Sequence, residues 1–125
     1  MDTRRQILLV EDEPFVALVA QQMLEDEGFV VHVAASGAEA VSIVREVGRG
    51  VSAALVDFGL PDIRGDALVS QLRSIVPDLC VVVASGYGTD ELKALFHAQP
   101  GVGIVSKPYD GETLLTALRQ ADPNF

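Results

Sequence analysis

The sequence predicts an α/β domain in which a doubly wound parallel sheet of five strands is covered by helices on both faces. Short apolar runs alternate along the chain with longer stretches whose apolar residues recur at helical spacing. Several of these runs are continuously apolar, as expected for parallel strands buried on both faces. Right-handed crossovers would bring the loops that follow the strands to one edge of the sheet.

Five strand and helix units are predicted in series. The strands are predicted from apolar runs at Ile7 to Val10, Phe29 to Val33, Ala53 to Val56, Leu79 to Ala84 and Val102 to Val105. The helices are predicted from apolar spacing at Pro14 to Glu27, from Ser36 to about Val47, Gly65 to Ile75, from Thr89 or Asp90 to about Ala98, and Gly111 to about Gln120.

Capping residues mark three helix starts. Ser36 is predicted to cap the second helix, with Glu39 three residues on completing a capping box. Thr89 or Asp90 is predicted to cap the fourth helix, and Asp110 the fifth.

The composition limits the class of function. The chain has 125 residues, 49% of them hydrophobic, which predicts a single domain over residues 1–125 with its core at about residues 6–121. The formal net charge of -9 argues against direct binding to nucleic acid or to an anionic membrane, because both need basic surface. The same charge is compatible with carboxylates gathered around a cation.

The cysteine content and the N-terminal segment favour a reducing cytoplasm. Cys80, the sole cysteine, lies in an apolar run, which predicts a buried and inert thiol. The apolar run before Glu11, Ile7 to Val10, is only four residues long, which is too short for a signal peptide or a membrane span. Residues 122–125 are expected to form a short tail rather than an output domain.

Polar residues follow four of the predicted strands, where ligands bind in folds of this kind. A set of carboxylates needs a cation, and hard oxygen ligands suit Mg²⁺. An ionised aspartate beside the metal can act as a nucleophile toward a phosphoryl group, with a lysine neutralising charge. The residues at the four strand ends are Glu11-Asp12-Glu13, Asp57, Ser85-Gly86 and Ser106-Lys107-Pro108.

Each of these residues also has a simpler interpretation. The acidic run Glu11-Asp12-Glu13 could be favourable charge at a helix start. Asp57 could begin a loop, Ser85-Gly86 could be turn residues, and Lys107 could be solvated. Their occurrence together, at separate strand ends and in this order, favours phosphoryl chemistry.

The chain resembles the receiver domains of two-component response regulators over essentially its whole length. The resemblance implies a flavodoxin-like sheet in the order 2-1-3-4-5 with five helices. It also implies slow Mg²⁺-dependent self-dephosphorylation rather than a metabolic activity. The matching segments are Ile7 to Glu13, Leu55 to Asp62 with Gly65 following, Val82 to Gly86, and Ser106 to Tyr109.

The resemblance assigns a role to each site residue. Asp57 is expected to accept a phosphoryl group from a histidine kinase or a phosphotransfer protein. Mg²⁺ is expected to bind Asp57 together with Glu11 and Asp12, directly or through water, and the backbone carbonyl of Gly59. The residues that match the hydroxyl and the lysine sensing the phosphoryl group are Ser85 and Lys107.

One position departs from the family pattern. Many receivers carry Tyr or Phe three residues before the lysine, where this chain has Ile104. Ile104 is stiff and is predicted to be a core residue. The hypothesis is that switching uses the segment from Gly86 to Gln99. Tyr87 is interpreted either as a shield for the phosphoryl group or as a surface aromatic.

Three further titratable residues are left outside the site. Glu13 is interpreted as first-turn helix charge, and His32 and His97 are interpreted as surface residues.

Three functions are weighed. The first is a receiver that signals through an unknown downstream protein, either alone or as a segment of a hybrid histidine kinase. The second is a binding module with the same fold that ignores phosphorylation. The third, a phosphatase-type hydrolase, is disfavoured because such enzymes need a second carboxylate two residues after the nucleophile, where this chain has Gly59.

Overall fold

The structure is a computed structural model that describes residues 4–86 and 88–125, apart from the side chain of Thr89. In these residues the strands are β1 (Gln6–Val10), β2 (Val30–Ala34), β3 (Val51–Asp57), β4 (Cys80–Ser85) and β5 (Val102–Ser106). The helices are α1 (Pro14–Asp26), α2 (Gly37–Val47), α3 (Gly65–Ile75), α4 (Thr89–Phe96) and α5 (Gly111–Ala121), with a 3₁₀ turn at Gly48–Gly50.

The five strands form one parallel sheet in the order β2-β1-β3-β4-β5, which confirms the predicted topology. The register aligns the carboxyl ends of the strands. Val10 at the end of β1 pairs with Val56, and Asp57 at the end of β3 pairs with Ala84. One position further along β4, Ser85 pairs with Ser106. The residues that follow the strands therefore emerge at a common edge.

Alternate strand residues supply two apolar cores, one on each face of the sheet. On one face Leu8, Val56 and Val83 pack with residues of α2, α3 and α4. On the other face, strand residues such as Leu9 and Leu55 pack with residues of α1 and α5. Burying a side chain of this size stabilises the fold by about 1.5–3 kcal/mol. The continuous apolar runs of the sequence are thus explained by burial on both faces.

The start of α2 forms half of the predicted capping box. The Ser36 hydroxyl accepts a hydrogen bond from the Glu39 backbone N–H at 3.2 Å. The Glu39 carboxylate, however, accepts from the backbone N–H of Ala35 at 2.7 Å, one residue before the cap. The helix start is still closed by reciprocal side-chain and backbone bonds.

The start of α5 is capped as predicted. The Asp110 carboxylate accepts a hydrogen bond from the Thr113 backbone N–H at 2.8 Å. The Thr113 hydroxyl also receives the Asp110 backbone N–H at 3.0 Å, which completes a capping box.

The predicted cap of α4 is wrong. The helix begins at Thr89 with Gly88 in the capping position, so neither Thr89 nor Asp90 precedes it. The helix also ends at Phe96 rather than near Ala98. The sequence marks the start of this helix only weakly, because a glycine in the capping position has no side chain to accept a hydrogen bond. Tyr87 lies outside the described residues.

The C-terminal segment packs against the fold. The ring of Phe125 meets the ring of Phe29 edge-on, with centroids 5.9 Å apart. The Arg5 guanidinium lies 4.4 Å from the centre of the Phe125 ring and donates to the Asn124 carbonyl at 2.9 Å. Residues 122–125 are therefore anchored at the edge of the sheet where β1 begins.

The two histidines that were predicted to be surface residues differ in their burial. His32 is half-buried, which corrects its assignment to the surface, and its Nε2 lies 2.7 Å from Oε1 of Gln6 on the neighbouring strand. His97 is exposed, as predicted.

Cys80 is half-buried, and burial raises the pKa of its thiol, as expected for an unreactive cysteine. Among the described residues, no helix is long and apolar enough to cross a membrane.

The contact between β5 and α5 depends on a glycine. Gly103 is buried, and a Cβ atom at this position would overlap the backbone carbonyl oxygen of Ala117. The helix can approach the strand this closely only because Gly103 has no side chain.

We expect Gly103→Ala to lower the free energy of unfolding by about 1–3 kcal/mol, because the backbone of α5 must move away from the sheet. Urea denaturation measures the change. Gly111→Ala is the matched control, since a Cβ atom there meets nothing within 4 Å. Equal denaturation midpoints for both variants and the unmutated protein would contradict the close-packing argument.

Candidate functional site

Backbone hydrogen bonds beyond the strands hold the site residues in place. The Glu11 N–H donates to the Ala34 carbonyl at 3.0 Å, which extends the pairing of β1 with β2. The Lys107 N–H donates to the Ser85 carbonyl at 2.8 Å, which extends the pairing of β4 with β5. Glu11 and Lys107, the residues directly after β1 and β5, are therefore held by hydrogen bonds that continue the pattern of the sheet.

One lysine joins two carboxylates at this edge. Lys107 Nζ lies 2.6 Å from Oε1 of Glu11 and 3.2 Å from Oδ2 of Asp57. The side chains of Glu11 and Asp57 are 2% and 10% exposed, and that of Lys107 is 23% exposed. These charges are shielded from water, so their interactions are stronger than those of a surface ion pair.

A third carboxylate completes an acidic cluster. Glu11, Asp12 and Asp57 each offer an oxygen atom, and these atoms lie within 4.8 Å of one another. Asp12 is the most exposed of the three, so the cluster opens toward solvent on its side. Carboxylate oxygens near the surface, with room for water, are the donors that suit Mg²⁺. The residues present therefore fit a magnesium ion.

The charges in the cluster shift each other's ionisation. Burial raises the pKa of Glu11, and the nearby charge of Asp57 raises it further against the hydrogen bond from Lys107. Burial alone would lower the pKa of Lys107, but the hydrogen bond to Glu11 and the charge of Asp57 outweigh it and raise the value. Lys107 is therefore a firmly held cation at neutral pH.

The two oxygens of Asp57 have different surroundings. Oδ1 accepts a hydrogen bond from the Gly59 backbone N–H at 3.1 Å, while Oδ2 faces Lys107. The carboxylate is thus oriented by the loop on one side and by the lysine on the other. Gly59 reaches the site through its N–H, and its carbonyl remains a predicted metal ligand.

Ser85 lies at the end of β4 and is buried, 5% exposed. It lines a cavity of about 280 Å³ together with Phe58, Arg64, Gly88 and residues of α4. A Cβ atom at Gly86 would meet nothing within 4 Å, so this position leaves open space next to the site.

The residues left out of the site stay out of the acidic cluster. Glu13 is exposed and is the N-cap residue of α1, so it precedes the first turn of the helix in which it was predicted to lie. Toward the cluster it contributes its backbone N–H, which donates to Oε2 of Glu11 at 3.3 Å. Ile104 is half-buried and packs against the core shared with α4. Tyr109, two residues after Lys107, is half-buried, and burial raises its pKa to about 12.

Sequence reasoning missed a role for Asp62. Its carboxylate accepts hydrogen bonds from the backbone N–H groups of Gly37 and Ala38 at 3.1 Å and 3.2 Å. These partners lie about 25 residues earlier in the chain, so no local pattern indicates the contact. Only the juxtaposition of the loop after β3 with the start of α2 shows it.

Replacing Lys107 by methionine removes the cation between Glu11 and Asp57. We expect the metal-free protein to lose about 2 kcal/mol of unfolding free energy, less than a fully buried pair because the lysine is partly exposed. Added Mg²⁺ should restore part of the loss by supplying a cation to the same carboxylates. Urea denaturation with a chelator and with Mg²⁺ measures both effects.

The matched control is Lys93→Met, because Lys93 is exposed on α4. We expect this variant to stay within about 0.5 kcal/mol of the unmutated protein under both conditions. If Lys107→Met is no less stable than Lys93→Met, the lysine does not neutralise the carboxylates.

Comparison with known proteins identifies the family. The family model of the response regulator receiver domain matches residues 7–119. This range contains all three carboxylates of the cluster, Ser85 and Lys107. The chain belongs to the response regulator receiver domain family.

Three relatives illustrate the match. The sensor kinase CckA of Brucella abortus is 34% identical over 114 residues, which cover 91% of this chain and 12% of the kinase. The receiver domain of the hybrid histidine kinase CckA is 32% identical, with a TM-score of 0.79 over 93% of this chain and 97% of that domain. A sensor protein from Polaromonas sp. JS666 is 36% identical, with a TM-score of 0.82 over 96% and 98% of the two chains.

Several of the curated relatives are much longer than this chain. It spans 12% of the Brucella abortus kinase and 24% of a response regulator of Rickettsia bellii, described as NtrX-like. The similarity therefore concerns the receiver portion of these proteins and not their other segments.

Proposed function

We propose that residues 1–125 form a single receiver domain that is switched by phosphorylation of Asp57. The phosphoryl group would come from a histidine kinase or a phosphotransfer protein. The observation that carries the proposal is the position of Lys107, which contacts Glu11 and Asp57 beside the cluster completed by Asp12. Phosphoryl transfer requires a nucleophilic oxygen and compensating positive charge at this distance.

The transfer step forms one bond and breaks another. A carboxylate oxygen of Asp57 attacks the phosphorus atom, and the bond between phosphorus and the donor's histidine nitrogen breaks. The product is an acyl phosphate, and the electron pair leaves with the imidazole. Each oxygen of Asp57 has one partner before the transfer, Oδ1 the N–H of Gly59 and Oδ2 the ammonium of Lys107.

The remaining site residues would stabilise the phosphoryl oxygens. Mg²⁺, held by Glu11, Asp12 and Asp57 with the Gly59 carbonyl, would neutralise charge as the group is transferred. The ammonium of Lys107 already faces Oδ2 of Asp57, so a short movement brings it to a phosphoryl oxygen. The Ser85 hydroxyl at the end of β4 would donate a hydrogen bond to another. Slow Mg²⁺-dependent loss of the phosphoryl group to water is the expected reset.

The output would pass through a partner protein, not through nucleic acid or a membrane. The acidic composition supports this, because nucleic acids and anionic membranes repel net negative charge. The relationship to sensor kinases supports a receiver segment of a hybrid kinase, and a stand-alone regulator has the same chemistry. A cytoplasmic location is proposed because a chain with a single cysteine lacks the internal disulfides typical of proteins in oxidising compartments.

One observation favours a second candidate, a binding module that does not respond to phosphorylation. Ile104 stands where many receivers have a switching aromatic, and it packs against the core. The intact set of Glu11, Asp12, Asp57 and Lys107 weighs against this candidate, because a pure binding module has no need to bury two carboxylates, Glu11 and Asp57, side by side.

Phosphotransfer tests the proposal directly. The protein is incubated with a small phosphodonor such as acetyl phosphate and Mg²⁺, and its intact mass is measured. We expect the unmutated protein to gain one phosphoryl group and Asp57→Ala to gain none. A chelator should abolish labelling because the carboxylates repel the donor without a cation.

Asp66→Ala is the control for a general loss of acidic charge, since Asp66 lies in the first turn of α3 and pairs with Arg64. Equal labelling of Asp57→Ala and Asp66→Ala would remove Asp57 as the acceptor. Absence of labelling in all forms would support the second candidate.

Hydrogen exchange tests the route of the signal. The helix α4 is short, and its N-terminus has no side-chain capping bond. We expect a phosphoryl mimic at Asp57 to change amide protection within residues 88–103, because Ser85 moves toward the mimic and this segment follows it. Protection in the capped helix α5 should change less. Unchanged protection in residues 88–103 would exclude this route.

A further inference from the structure

The loop that follows β3 is fastened to the start of α2. One oxygen of the Asp62 carboxylate accepts a hydrogen bond from the Gly37 N–H at 3.1 Å, and the other accepts one from the Ala38 N–H at 3.2 Å. These are the first two residues of α2, whose N–H groups have no partner within the helix. The Ser36 hydroxyl accepts only the N–H of Glu39 at this helix start, so Asp62 supplies the acceptors for the first two N–H groups.

The contact is electrostatically favourable. The N-terminus of a helix carries partial positive charge, and a carboxylate placed there is stabilised. The hydrogen bond from Gly37, with that from Ala38, lowers the pKa of Asp62. Asp62 is exposed, so solvent screening keeps its contribution to overall stability modest. Its effect on the position of the loop is the larger consequence.

Close packing reinforces the fastening. A Cβ atom on Gly37 would overlap Cγ2 of Ile63, so the loop residue after Asp62 lies directly against α2. Further along, a Cβ atom on Gly65 would come within 2.8 Å of the Phe58 ring and 3.0 Å of the Phe58 Cα atom. The loop is therefore held at its far end by α2 and folded back on its own first residue.

Gly59 lies between these fixed points. It has no side chain to hold it, and its N–H orients Oδ1 of Asp57 at 3.1 Å. The direction of the Gly59 peptide groups is thus set by the residues on either side. Asp57 fixes the near end of the loop because it belongs to β3, and Asp62 fixes the far end.

We propose that Asp62 is a positioning residue for the phosphoacceptor site, holding the loop after β3 so that the Gly59 backbone serves both Asp57 and the metal ion. The inference rests on the proposed function of Asp57. Asp62 itself touches neither the phosphoryl group nor the acidic cluster, and it acts through the loop.

The test compares Asp62→Ala, Asp62→Asn and the unmutated protein. The Mg²⁺ concentration that gives half-maximal phosphorylation by acetyl phosphate is measured for each, together with thermal unfolding. For Asp62→Ala we expect this concentration to rise about tenfold, the low end of the loss typical when an outer support of a metal site is removed. At saturating Mg²⁺ its rate should return to within about twofold of the unmutated protein, because Asp57 and Lys107 are intact.

Asp62→Asn keeps one acceptor oxygen and should show a smaller rise than Asp62→Ala. Asp78→Asn is the charge control, because Asp78 is exposed in the loop before β4, at the opposite edge of the sheet. We expect its Mg²⁺ dependence to match that of the unmutated protein. A tenfold rise in Asp78→Asn would show that net charge alone causes the effect and would overturn the proposal.

A purely structural role for Asp62 predicts a different pattern. The unfolding temperature of Asp62→Ala would fall while the Mg²⁺ dependence of the folded protein stayed unchanged, and that result overturns the inference. Titration of the unphosphorylated protein with Mg²⁺, followed by NMR chemical shifts, gives a readout independent of phosphotransfer. Weaker Mg²⁺ binding by Asp62→Ala would then support the inference even if Asp57 proved not to be the acceptor.

Discussion

The structure depends on holding three carboxylates together at one edge of the sheet. Glu11, Asp12 and Asp57 present oxygen atoms within 4.8 Å of one another, and two of these side chains are almost fully buried. Their mutual repulsion and loss of hydration oppose folding. Lys107 offsets part of this cost by contacting Glu11 and Asp57, and a bound cation would offset more. The site is thus built to need positive charge, which is the property that a phosphoryl acceptor requires.

A parallel sheet is well suited to carry this cost. Its strands are buried on both faces, and the order β2-β1-β3-β4-β5 places β1, β3 and β4 side by side at the centre. Glu11 and Asp57 come from adjacent central strands, while Lys107 arrives from the edge strand β5 and spans β4 to reach them. The apolar cores on both faces supply the free energy, and the aligned strand ends supply the geometry.

Sequence reasoning reached the sheet, the helices and the residues of the acidic cluster because each is marked locally. A change from apolar to polar residues marks a strand end in the sequence. Asp57 and Lys107 could therefore be assigned to one edge of the sheet from the sequence alone. The unpredicted features depend on partners distant in the chain. The half-buried His32 contacts Gln6 on the neighbouring strand, and Phe125 packs on Phe29. Asp62 caps a helix that begins 25 residues earlier. No local pattern in the sequence indicates these contacts.

Backbone hydrogen bonds between neighbouring strand ends are relevant to the presence of Ile104 where many receivers have an aromatic residue. The Phe58 N–H donates to the Ala84 carbonyl at 2.8 Å, and the Lys107 N–H donates to the Ser85 carbonyl at the same distance. A displacement of the β4 end would therefore also move the loops after β3 and β5, to which these backbone bonds connect it. A side chain at the position of Ile104 can add to such a displacement, but the backbone contacts do not require an aromatic ring there. The arrangement of Asp57, Glu11 and Lys107 and the presence of Ile104 are thus physically compatible.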